Sequence, residues 1–163
     1  MRFHSLFRLY KDFMSLTQEQ RENIVRVAKE WIGTKYRGNT CIKGVGCDCG
    51  QFLFGVYVEA GLVPADATLP KNYSLQVENR NDTDYIDTVR RFAREIPESE
   101  VKPGDIVLYK FGKGFYHGSI IVEWPAYILH SLQREGVTAG HGMNTRFRRR
   151  EKVFFTLKDE VTK

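Results

Sequence analysis

From Thr17 onward, apolar residues recur at the spacing of a helix. Ile24, Val25, Ala28, Trp31 and Ile32 form one stripe, opened by a Thr17/Gln20 capping box and ended by Gly33. A second helix is predicted from Cys49 to Ala60, with Cys49, Phe52, Leu53, Val56 and Ala60 on one face and Gly61 as its stop. Asp48 is its N-cap, and Gln51, three residues on, completes a second capping box. Leu62 to Leu75, with Pro64 and Pro70, reads as a connecting loop. Asp82 or Thr83 caps a third helix whose buried face is Tyr85, Ile86, Val89, Phe92, Ala93 and Ile96, closed by Pro97. After the turn signal Pro103-Gly104-Asp105 the pattern becomes strand-like: 106–111, 116–124, 127–133, 135–139 and 152–157. Helices first and strands second predict an α+β fold, with the N-terminal helices packed on an antiparallel β-sheet.

Length and composition fit one domain. The chain has 163 residues, 42% of them apolar, enough for a core. No apolar run is long enough to cross a bilayer, so no membrane span is expected. In residues 1–13 the apolar Phe3, Leu6, Phe7, Tyr10 and Phe13 alternate with Arg2, Arg8 and Lys11. That suits a short amphipathic helix and lacks the continuous core of a signal peptide. Residues 1–15 are read as an N-terminal extension and 16–163 as a single domain. The formal charge is +5, and its clearest cluster is Arg146, Arg148, Arg149, Arg150 and Lys152. A solvated turn explains the cluster; an anionic partner is the sharper alternative, and no nucleic-acid fingerprint accompanies it.

Three cysteines crowd one loop as C-x5-C-x-C: Cys41, Cys47 and Cys49. An odd count without a secretion signal is no disulfide framework, and the spacing lacks the paired knuckles of common zinc modules. Cys49 is placed as the first residue of a capped helix, where it reads equally as a small apolar residue at a buried helix start or as a nucleophile whose thiol pKa the positive end of the dipole lowers. His117 opens the second strand and His130 lies midway along the third. A hairpin turning near residues 123–125 sets the two roughly opposite each other on one face. His130 then fixes the tautomer of His117, and His117 serves as base to a nucleophile. Taken singly, each histidine reads more readily as a satisfied core or edge residue. His4 and His141 have no such context.

Five runs, in order, resemble the NlpC/P60 cysteine peptidases: Trp31-Ile32-Gly33-Thr34-Lys35-Tyr36-Arg37, Gly46-Cys47-Asp48-Cys49-Gly50-Gln51-Phe52, Pro103-Gly104-Asp105-Ile106-Val107-Leu108, His117-Gly118-Ser119-Ile120-Ile121-Val122, and Ile128-Leu129-His130-Ser131. With Gln133-Arg134-Glu135-Gly136-Val137, the chain looks most like the phage-associated branch, found in tail-tip and gene-transfer particles. The resemblance covers roughly residues 16–157. It implies a papain-like core and hydrolysis of peptidoglycan stem peptides, at the bond between D-γ-glutamyl and a diamino acid. Position by position it implies Cys49 as nucleophile, His117 as base and His130 as third member. Tyr36 falls on a cleft tyrosine and Asp48 on the residue before the nucleophile. The family's Asp-Cys-Ser-Gly-Phe is here Asp-Cys-Gly-Gln-Phe, so Gln51 stands where it narrows the approach of substrate. The helix-start N–H groups remain available to an oxyanion.

The resemblance implies no metal and no cofactor, with a peptidoglycan stem peptide as substrate and phage tail proteins as partners. It implies synthesis in the bacterial cytoplasm and carriage to the wall in a phage particle. Two other readings stay open at this point: a tail component that keeps the fold without turnover, and an antibacterial amidase toxin of similar fold.

Overall fold

The computed structural model describes residues 15–67 and 83–158. The predicted amphipathic N-terminal helix and part of the 62–75 loop lie outside them. Among the described residues, three helices and a six-stranded antiparallel sheet make up the fold. Helix α1 spans Gln18–Glu30, α2 Cys49–Glu59 and α3 Asp84–Phe92. A two-stranded ribbon, β1 (Cys41–Ile42) and β2 (Gly46–Cys47), leads into α2. The sheet strands are β3 (Ala93–Ile96), β4 (Ile106–Phe111), β5 (Gly114–Glu123), β6 (Tyr127–Leu132), β7 (Gly136–Gly140) and β8 (Lys152–Leu157), in spatial order β3-β8-β4-β5-β6-β7.

The capping box predicted for α1 is made in both directions between Thr17 and Gln20. One correction concerns residues 93–96, expected to prolong α3. They leave the helix at Phe92 and form β3, paired from Ala93↔Leu157 to Ile96↔Phe154. The apolar residues of that stretch serve either period. A neighbouring strand supplies β3 with backbone partners that one more helical turn, running into Pro97, would lack.

The sheet has two buried faces, as its alternating side chains require. Ile106, Leu108, Ile120, Leu129 and Phe155 pack under the helices. Val107, Tyr109, Ile121, Ile128 and Phe154 point the other way and are covered by Phe147 from the loop between β7 and β8. Arg21 of α1 ties the helical layer to the turn before β4. Its guanidinium meets Asp105 at 2.8 Å and also donates to the Pro103 carbonyl and the Thr156 hydroxyl. Tyr57 of α2 donates to the Gly104 carbonyl at 2.9 Å, so the same turn holds both helices.

Candidate active site

Asp48 explains why α2 begins where it does. Its backbone is extended, and one carboxylate oxygen accepts the N–H groups of Gly50 and Gln51 at 3.1 and 2.9 Å. The other accepts the Asn39 N–H at 2.7 Å. The carboxyl is fully buried, and burial raises its pKa against the pull of those three N–H groups. Asp48 therefore acts here on the chain around the helix start, and it offers little surface to a substrate. Gln51 is half-buried on the first turn, and its carbonyl accepts from the Cys41 thiol at 3.3 Å.

The Cys49 side chain is 4% exposed. Its thiol contacts β5 at main-chain atoms on either side of His117. It donates to the Tyr116 carbonyl at 3.4 Å, and the Gly118 N–H points back at the sulfur. Gly118 makes room for α2 and α3 against β5, because a Cβ there would stand 2.7 Å from Leu53 Cδ1 and would collide with the Tyr85 hydroxyl. Burial, then the neighbouring Asp48, pushes the Cys49 thiol up to about 12, against the N–H groups of Gly118, Gly50 and Cys49 itself. This corrects the expectation of a lowered pKa. A helix terminus is worth about 0.3–1 kcal/mol, and desolvation of a buried anion outweighs it.

Two phenols flank the sulfur. Tyr36, half-buried, is held by a bridge to Cys47. Its pKa is raised by burial and then by the charges that Cys49 and Asp48 would carry. Tyr85 of α3 packs its hydroxyl between Cys49 and Gly118. The sequence marked Tyr85 only as a buried helix position.

His117 and His130 lie together on the opposite face of the sheet from α2. Nε2 of His117 faces Nδ1 of His130 at 3.0 Å. The register is Ile120↔Leu129 and Ile121↔Ile128, which continued would set Ser119 across from His130. The histidines are thus diagonal neighbours rather than opposite ones, at a separation two imidazoles span. Gly140 on β7 makes room for His130, since a Cβ there would stand 2.9 Å from Nε2. His130 is 2% exposed, whereas His117 is half-buried at the rim. Burial lowers the pKa of both. His117 falls well below the ordinary imidazole value, with His130 and Arg146 contributing, and His130 falls to about 4, with Arg146 contributing. No hydrogen bond joins the Cys49 thiol to either imidazole among the described residues.

Two residues complete the surroundings: Phe147, which sequence reasoning did not single out, and Arg146, which it read only as part of the basic cluster. Phe147 stacks on His117 at 5.3 Å and 10°. Arg146 stands exposed beside the pair. The legible signal was one aromatic residue inside Arg146-Phe147-Arg148-Arg149-Arg150. The basic cluster divides by task. Arg150 lies 3.5 Å over the Phe111 ring and donates to the Lys110 carbonyl, and Lys152 donates to the Arg148 and Arg150 carbonyls, so both tie down the loop. The cysteine sulfurs diverge: Cys41 to the Gln51 carbonyl, Cys47 towards Ser131, Cys49 to β5. Among the described residues no group of three His, Cys, Asp or Glu side chains is arranged to hold a metal.

Comparison with known proteins yields one family. The family model described as NlpC/P60 family matches residues 30–154. No curated protein matches the sequence. Among solved structures, the NlpC/p60 domain of the peptidoglycan hydrolase SagA is 20% identical with a TM-score of 0.57, covering 83% of this chain and 97% of that one. An NLP/P60 family protein of Staphylococcus aureus, described as similar to lipoprotein, is 18% identical with a TM-score of 0.62, covering 88% of this chain and 43% of that one. RipD of Mycobacterium tuberculosis, described as a non-catalytic NlpC/p60 domain protein adapted to peptidoglycan binding, is 15% identical with a TM-score of 0.53, covering 85% of this chain and 97% of that one. At these identities the structural likeness speaks for the fold.

Proposed function

The chain belongs to the NlpC/P60 family, and from that premise we propose that it is a cysteine peptidase of peptidoglycan stem peptides. The bond cleaved is the one between D-γ-glutamyl and a diamino acid, and a phage tail or particle carries the enzyme to the wall. One observation carries the catalytic part: His117 Nε2 lies 3.0 Å from His130 Nδ1 beside the strand end that the Cys49 thiol touches. His130, with a pKa of about 4, stays neutral at neutral pH and accepts the proton that His117 holds on Nε2. The Nδ1 lone pair of His117 is then left as the base.

In the proposed reaction the thiol, which sits at the edge of β5 ahead of its pairing with β6 at Ile120, leaves the Tyr116 carbonyl and reaches past that edge to His117. It gives up its proton to Nδ1 as sulfur attacks the scissile carbonyl carbon. The oxyanion is met by the Cys49 backbone N–H, the helix-start donor that Asp48 does not take. The C–N bond then breaks, the leaving amine takes the proton from His117, and the thioester on Cys49 is released by water. Tyr36 lines the approach and Gln51 narrows it. The phage carrier is supported by the sequence likeness that follows His130.

A second reading has its own support. The thiol is buried, protonated and not bonded to His117, which suits a domain that grips stem peptides without cutting them. Digestion of purified peptidoglycan followed by mass spectrometry of the muropeptides separates the two. The peptidase reading predicts new D-γ-glutamyl termini with the wild type and none with Cys49→Ala. Binding without new termini would establish the second.

A further inference from the structure

We propose that Phe147 is the positioning residue of the histidine pair: its ring, carried on the loop between β7 and β8, fixes the rotamer and tautomer of His117. The inference rests on the assignment of His117 as base. Phe147 is fully buried, and its ring touches both histidines. It lies nearly parallel to His117, with centroids 5.3 Å apart at 10°, and edge-on to His130 at 5.7 Å and 60°. Its remaining contacts stop it from moving. It stacks on Tyr109 at 4.2 Å and meets the Phe111 ring at 6.4 Å and 84°.

The loop beneath it is fastened along its length. Asn144 Oδ1 accepts the N–H groups of Arg146 and Phe147 at 2.9 and 3.2 Å. The Tyr109 hydroxyl donates to the Gly142 carbonyl at 3.1 Å, and the Gly142 N–H donates to the Pro125 carbonyl at 2.8 Å. Arg150, bonded to the Lys110 carbonyl, anchors the far side. The Phe147 ring is thus a fixed wall of the pocket that holds the two imidazoles.

A wall of that kind does two things. It allows the half-buried His117 ring one orientation, the one aimed at His130. It also keeps water from competing for the 3.0 Å nitrogen-to-nitrogen bond, so the proton stays on Nε2. A residue that only filled the core would do neither.

The test is nuclear magnetic resonance of imidazole nitrogens in the wild type and in Phe147→Leu, with the pH dependence of kcat/KM measured in parallel. In the wild type, His117 is expected as a single Nε2–H tautomer with a nuclear Overhauser contact to the Phe147 ring. Mixed tautomers, or no such contact, would overturn the proposal without any variant. In Phe147→Leu the tautomers should mix and the His117 pKa should rise. The acid limb of the pH profile should follow, with kcat down about tenfold or more and KM little changed. Phe147→Tyr, which keeps the ring, should retain the single tautomer. A Phe147→Leu protein with unchanged tautomer, pH limb and kcat would refute the proposal. Should the leucine variant fail to fold, the wild-type spectrum and Phe147→Tyr still decide. Full activity in His117→Ala would instead defeat the catalytic assignment, whatever the imidazole spectra show.

Discussion

The Cys49 thiol donates to the Tyr116 carbonyl at 3.4 Å, and Tyr116 is the residue immediately before His117. The sulfur therefore rests one residue away from the base assigned to it, protonated and 4% exposed, with a pKa of about 12. Alkylation needs thiolate and access, and both are scarce. Brief iodoacetamide treatment at neutral pH, followed by peptide mapping, should label Cys49 more slowly than the partly exposed Cys41. The Cys49 rate should still be climbing with pH in the alkaline range. Rapid labelling of Cys49 at neutral pH would show that the resting site is more open than this arrangement.

The histidines should separate in mechanism. His117 moves a proton and His130 only holds it in place. General acid–base catalysis contributes about 10²–10⁴-fold. With kcat/KM measured on a stem tetrapeptide, the expected order is wild type, then His130→Asn, then His130→Ala, then His117→Ala. Asparagine recovers part of the loss because its amide oxygen accepts the Nε2–H of His117. Wild-type activity in a well-folded His130→Ala would make His130 a core residue and nothing more.

Much of this fold is legible in the chain because local rules and packing agree. Thr17 with Gln20, the stripe through Ile24 and Ala28, and the strands after Asp105 all carry one period each. Ala93 to Ile96 do not; their fate is decided by β8, a partner sixty residues away in sequence. Within the candidate site, Cys49 and the two histidines show because the residue types are rare and their spacing is ordered. The electrostatics do not show. A capped helix start lowers a thiol pKa only where water still reaches it, and burial under α3, with Tyr85 against the sulfur, reverses the sign. Phe147 was hidden for a related reason: its neighbours in sequence are arginines, and its neighbours in space come from β4, β5 and β6.

Arg21 and Asp105 make the buried ion pair that joins α1 to the turn before β4, at 2.8 Å with both side chains almost wholly shielded. Removing one member strands a buried charge, which costs about 3–5 kcal/mol. Asp105→Ala also removes the acceptor of the Lys102 N–H. Urea denaturation should show a loss of that size for Asp105→Ala. The double variant Arg21→Met/Asp105→Leu should lose less than the sum of the single changes. Strict additivity would mean that the pair is not coupled in solution.

Stability should also depend on pH through His130. Its pKa is about 4 in the folded protein, held down by burial first and by Arg146 second, whereas an unfolded chain restores an ordinary imidazole near 6.5. Between those values the unfolded state binds the proton and the folded state does not. By linkage, stability is fully present above about pH 6.5 and falls as the pH drops towards 4, where the loss levels off. The gap corresponds to roughly 3 kcal/mol at its full extent. His117, also held low, and carboxylates in the lower part titrate in the same window, so the measurement is a difference: urea denaturation from pH 4 to 7.5 for the wild type and for His130→Gln. The wild type should lose the larger amount between pH 6.5 and 4.5, while the glutamine variant, which has no imidazole to protonate at that position, follows a flatter curve. Parallel curves would mean that His130 titrates alike in both states and that the His117–His130 bond is open to water.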